Sequence, residues 1–140
     1  MTSQSAKTRV MKPSATRDFE FFYEGLNEHR LLVQKCESCS KRRHPASPMC
    51  PHCNSLDWQA EALGPTGSVY SYIVHYQPPY PDYPSPHAVA LVEMAPDIRI
   101  LGPLVGCAPG DISIGMQVRV EFEEAGDGFS LHRFRPTGTE

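Results

Sequence analysis

Cys36-Glu37-Ser38-Cys39 and Cys50-Pro51-His52-Cys53 together spell C-x2-C-x10-C-x2-C. Each pair can bring two thiolates to one ion, and the segment between them is long enough to fold one pair back onto the other. Four sulfurs in a tetrahedron favour zinc, or iron in a rubredoxin-like centre. With every ligand position taken by protein, none remains for water or substrate, so the expected ion is structural rather than Lewis-acidic. The flanking residues must then supply the strands that carry two knuckles.

Leu31-Leu32-Val33 is a short apolar run that ends just before Cys36, and Trp58 to Leu63 (WQAEAL) can return beside it as the partner strand. Further upstream, Phe19, Phe22, Tyr23 and Leu26 fall at i, i+3, i+4 and i+7, which predicts a helix of about three turns ending at Gly25 or Asn27. Ser14 or Thr16 is placed to cap its start. The stripe is unusually aromatic for so short an element. Either it covers the chain's own core or it docks in part on another subunit, in which case Phe19, Phe22, Tyr23 and Leu26 are partner contacts. Residues 1–15 are polar and without periodicity, and are expected to be a mobile arm.

Downstream, Gly64-Pro65-Thr66-Gly67 punctuates the chain and divides it into a helix-and-knuckle module over 16–63 and a second module over 64–140. The second module has an all-β character. Val69–Tyr76, Ala88–Met94, Ile98–Gly106, Gln117–Phe122 and Phe129–Phe134 read as strands, with Ala125-Gly126-Asp127-Gly128 as a hairpin turn. In Gln117–Phe122, Val118, Val120 and Phe122 alternate with Gln117, Arg119 and Glu121. Five short strands without helical crossovers suit a small Greek-key barrel of the OB type. The expected fold is thus mainly β: an N-terminal helix, a rubredoxin-like zinc ribbon and a C-terminal five-stranded OB-fold barrel. The proline-rich Gln77 to His87 reads as an extended loop, where Tyr80 and Tyr83 offer rigid amphipathic area to a partner.

The whole chain has 140 residues, 40% of them hydrophobic and 21% charged, which is a folding composition rather than a disordered one. No apolar run reaches the roughly 18 residues of a membrane span, and the N-terminus lacks the apolar centre of a secretory signal, so the expected compartment is the cytoplasm. There the cysteines stay reduced, and Cys107, outside the metal pattern, reads as a core thiol. Lys41, Arg42 and Arg43 beside the knuckles form either a solvated basic loop or an anion site for a phosphate-bearing ligand. A net charge of −3, with Glu93, Asp97, Glu121, Glu123 and Glu124 spread along the barrel, argues against nucleic acid. His75, His87, His132, Asp82 and Glu93 are conceivable acid–base groups, but they read more simply as strand-end and loop residues, and no catalytic residue is assigned.

The order of parts resembles a known family. F-x2-F-Y-x-G-L, the L-L-V-Q-K-C entry to the knuckles, C-P-x-C followed by a Trp, G-x-x-G-x-V-Y-S-Y and a late G-M-x-V-x-V resemble the OB-fold, zinc-ribbon, acyl-CoA-associated proteins, long catalogued as a domain of unknown function. The resemblance covers about residues 16 to 135 and is carried by Phe22, Gly25, Leu31, the four cysteines, Pro51, Trp58, Gly67, Tyr70, Ser71, Glu93, Gly115, Met116 and Val118. It implies a small accessory subunit in a hetero-oligomer, serving a thiolase-like or hydratase-like enzyme that acts on acyl-CoA. Its partners would include retro-aldolases of steroid side-chain CoA thioesters, with hot-dog-fold hydratases and bridged thiolase–synthase assemblies as alternatives. Within that role Lys41, Arg42 and Arg43 become candidate contacts for the phosphates of CoA.

Overall fold

The computed structural model describes residues 12–14, 16–78, 85–126 and 128–137. Tyr80, Asp82, Tyr83 and nearly all of the expected arm lie outside them. A 3-10 turn, Arg17–Phe19, leads into the helix α1, Glu20–Asn27. The entry is tied by the Phe19 N–H donating to the Thr16 carbonyl at 2.9 Å, and no side chain caps it, so the expected hydroxyl cap is not used. The helix ends where His29 turns left-handed (φ 62°), letting the Arg30 N–H reach back to the Gly25 carbonyl at 2.8 Å.

Three strands follow: β1 (Leu32–Cys36), β2 (Arg42–Arg43) and β3 (Trp58–Ala62), in the order β2-β1-β3. The predicted return strand is β3, with Cys36 opposite Trp58 and Leu32 opposite Ala62. β1, as the central strand, is buried almost throughout. Beyond it, β4 (Thr66–His75), β5 (His87–Ala95), β6 (Ile98–Leu104), β7 (Gln117–Gly126) and β8 (Phe129–Pro136) close a barrel in the order β4-β5-β6-β8-β7. The five strands are those read from the pattern, with β7 carried on to Gly126. Where β4 closes against both β5 and β7, only glycine fits at position 67, because a Cβ there would lie 2.6 Å from the Glu93 carbonyl oxygen.

Alternation sorts the barrel residues. Ala88, Ala90, Val92, Ile98, Ile100, Val118 and Phe134 point inward, and Phe22, Leu26, Leu31 and Val33 from the first module join the same buried cluster. One continuous core therefore crosses the Gly64–Gly67 punctuation. Phe22 is 4% and Leu26 0% exposed, so the chain's own packing consumes these two side chains. Phe19 and Tyr23 are half-buried against the same core. The reason is that α1 lies in the corner between ribbon and barrel: Phe21 meets Trp58 at 4.8 Å between ring centroids, and Phe22 meets His132 of β8 at 5.8 Å. The Asn27 side-chain carbonyl accepts the Ser130 N–H at 2.8 Å, fixing the far end of the helix to the barrel. Among the described residues no helix is long and apolar enough to cross a membrane.

Candidate metal centre

The two knuckles are built alike. The Ser40 N–H returns to the Cys36 carbonyl at 3.0 Å, and the Asn54 N–H to the Cys50 carbonyl at 2.8 Å. Ser40 (φ 68°) and Asn54 (φ 66°), each just after the second cysteine of its pair, take the left-handed turn that closes the loop. The Ser38 hydroxyl donates to the Ser55 hydroxyl at 3.0 Å, linking one knuckle to the other.

This folding brings the four thiols together. Their sulfurs all lie within 4.8 Å of one another, with Cys36 and Cys53 at 3.5 Å and Cys39 and Cys50 at 3.7 Å. A tetrahedron with Zn–S bonds of about 2.3 Å has edges of about 3.8 Å, so the arrangement fits one zinc ion. Backbone amides prepare two of the ligands, whereas Cys53, despite the Ser55 N–H, is pushed up to about 12 by the Cys36 thiol, by burial and by the other two thiols. The Cys39 N–H above all holds the Cys36 thiol below its ordinary value, and the Cys53 N–H, with the His52 N–H behind it, brings Cys50 down to about 6 against the opposing effect of burial. Deprotonated thiols are the metal-binding form. Neither neighbouring histidine is needed: His44 packs against the Phe22 ring at 5.3 Å, and burial, with repulsion from His132, lowers its imidazole to about 4.

The basic residues beside the knuckles do not form one cluster. Arg42 and Arg43 are consecutive in β2 and face opposite sides of the sheet. Arg42 is engaged by Asp97 in the β5–β6 turn at 2.8 Å and by Glu61 at 3.3 Å, which bolts the ribbon to the barrel. The Arg43 side chain donates to the Ser47 carbonyl at 2.9 Å, while Lys41 is exposed. Opposite Arg43 in register sits Gln34, fully buried, whose side-chain oxygen accepts the Ser47 N–H at 2.9 Å. A polar residue in an apolar strand carried no signal of that role.

The other candidates are dispersed. His75 and His87 are register partners at the root of the loop, 5.1 Å between ring centroids, and the His75 Nε2–H donates to the Pro78 carbonyl at 2.8 Å. His132 is spent on the Leu101 carbonyl at 2.8 Å, and burial lowers its imidazole. Cys107 packs partly against the core, its thiol raised by burial and then by Asp111.

Two family profiles match in tandem: the rubredoxin-like zinc ribbon domain of ChsH2 over residues 24–59 and its C-terminal OB-fold domain over residues 60–123. A chain of a solved structure, "Ltp2-ChsH2(DUF35) aldolase", superposes with a TM-score of 0.86 at 44% identity, covering 89% of this chain and 98% of that one. The chain belongs to the ChsH2 (DUF35) family. It is also 43% identical over 135 residues to a probable enoyl-CoA hydratase alpha subunit of Thermomonospora curvata, covering 96% of this chain and 42% of that subunit. A third relative, the 3-oxo-4,17-pregnadiene-20-carboxyl-CoA hydratase alpha subunit of Mycobacterium tuberculosis, is 35% identical, with coverage of 91% and 40%. The chain thus spans about two-fifths of the length of those two subunits. The zinc ribbon of this ChsH2-family chain is the matched module that holds Cys36, Cys39, Cys50 and Cys53.

Proposed function

We propose that the chain is a non-catalytic, zinc-binding accessory subunit of an acyl-CoA-processing enzyme, with a thiolase-type aldolase acting on steroid side-chain CoA thioesters as its partner. The observation that carries this reading is the close superposition on nearly the whole of one chain of the Ltp2-ChsH2 aldolase, whose name has two components. The chain's own chemistry agrees. Its metal set is complete without water or substrate, and two of its histidines are taken up in packing: His44 and His132 both lie against the Phe22 ring, with His132 bonded to the Leu101 carbonyl. The zinc would supply rigidity: the four cysteines pin β1 to the second knuckle, and β1 in turn backs α1. The subunit would stabilise the enzyme and shape its CoA channel, with the bond-making residues on the partner.

A second reading, a component of an enoyl-CoA hydratase, draws on the names of the two longer relatives, one of which is a hydratase subunit for a steroid acyl-CoA. Only about two-fifths of those subunits corresponds to this chain, which favours the aldolase reading. The deciding experiment is to assay the purified chain, a thiolase-like aldolase, and both together on a β-hydroxy steroid side-chain CoA thioester. The chain alone is expected to show no turnover, and the mixture to release the cleaved CoA product. Turnover by the chain alone overturns the reading, and so does an aldolase whose rate and solubility ignore the chain.

A further inference from the structure

We propose that the outer face of β4, β5 and β6 is the surface on which the enzyme subunit docks. The inference rests on the accessory-subunit reading and says where on this chain the partner sits.

In these strands the inward residues fill the core, so their alternates face outward. The register sets Ile73, Val89 and Pro103 in one row across the three strands, and Ser71, Leu91 and Leu101 in the next. Ile73 is 63% and Leu101 59% exposed. Beside them Tyr70, exposed at the bulge between Val69 and Ser71, carries the Arg99 guanidinium 3.7 Å from its ring centroid. The outer side of β7 and β8 is built differently. There Glu121 holds Arg133 at 2.7 Å and Arg135 at 2.8 Å, and Glu123 holds Arg133 at 3.0 Å. One half of the barrel is laced with ion pairs suited to water; the other exposes contiguous aliphatic and aromatic surface, which marks an interaction site.

Arg99 indicates the occupant. Glu93 is its register partner, yet Arg99 lies over Tyr70, and among the described residues no carboxylate is within ion-pair distance of it. An uncompensated guanidinium at the edge of an apolar face calls for an acid from outside, and Tyr with Arg is the usual chemistry of an interface anchor. A phosphate backbone would satisfy Arg99 but leave the aliphatic rows in water. A protein surface with an apolar patch and an Asp or Glu at its rim satisfies both, and the enzyme subunit is that partner. On the helix stripe Phe22 and Leu26 are buried at home, and Phe19 and Tyr23 are already half-buried against the core.

The test uses the full chain and the Ltp2 component of the solved aldolase, with co-elution and calorimetric titration as readouts. The double variant Ile73→Glu/Leu101→Glu alters only exposed positions, and circular dichroism and zinc content check that it folds. It is expected to bind at least about 100-fold more weakly than the parent, and Leu101→Ser alone about tenfold more weakly. Arg99→Ala should weaken binding and flatten its salt dependence, while Glu123→Lys on the ion-paired side leaves binding unchanged. A double variant that binds like the parent overturns this surface and leaves the accessory reading standing. A parent that does not bind Ltp2 overturns both. A parent that sediments as a dimer, dissociated by the same two substitutions, assigns the face to a second copy and overturns the proposal.

Discussion

Ser40 and Asn54 do the same job in the two knuckles with unequal ease. Asparagine visits the left-handed region readily and serine does not. Ser40→Gly is therefore expected to stabilise the zinc-loaded chain by about 0.5–1 kcal/mol in denaturant titration, with a smaller gain for Asn54→Gly. Cys36→Ser or Cys50→Ser should abolish stoichiometric zinc, measured by atomic absorption. Either should also cost several kcal/mol of stability, since structural zinc sites in peptides are worth on the order of 10–16 kcal/mol. His44 predicts a pH effect. Its folded value of about 4 lies below its ordinary 6.5, so the unfolded chain binds the extra proton between those values. The resulting stability is present above pH 6.5 and is lost as the pH falls toward 4. His44→Phe should therefore melt progressively higher relative to the parent over that window, cysteine protonation acting on both chains alike. The four cysteines could be read from spacing alone; the burial of His44 could not, because it depends on where α1 comes to rest.

The helix stripe shows how far periodicity reaches. Phe19, Phe22, Tyr23 and Leu26 identified a helical face, but two occupants of that face remained open until the ribbon and barrel were seen to enclose it. Phe22→Ala should cost about 3–5 kcal/mol by leaving a cavity between α1, His44 and His132, and equilibrium unfolding will measure it. The Arg42–Asp97 bridge works between elements rather than within one. Its side chains are 23% and 46% exposed, so a double-mutant cycle on Arg42→Ala and Asp97→Ala should give a coupling of only about 0.5–1 kcal/mol. The basic run beside the knuckles is not one unit in the fold, because β2 sends Arg42 and Arg43 to opposite sides.

Across the chain, the core joins α1, β1 and the barrel interior without a break. Ribbon and barrel are therefore expected to unfold together. Trp58, the single tryptophan, reports on the ribbon, whereas far-ultraviolet circular dichroism reports mainly on the barrel strands. The two signals should follow one denaturation curve with zinc bound, and chelation should shift both to lower denaturant. Separate curves would mean that the Gly64–Gly67 segment is a true boundary in stability as well as in sequence.

Spacing and alternation settled the metal ligands, the helix, and five strands of a barrel, because each depends on neighbours a few positions away: a thiol pair two residues apart, an apolar face every third or fourth residue, an inward side chain every second. They also carried the family resemblance. Which apolar residues remain exposed was decided only in three dimensions. Ile73 and Leu101 look like any other strand residues in the sequence, and Phe22 and Leu26 looked equally available to a partner. The barrel's closure and the seat of α1 placed the first pair in water and the second pair in the core, since burial depends on what the rest of the chain packs against each face.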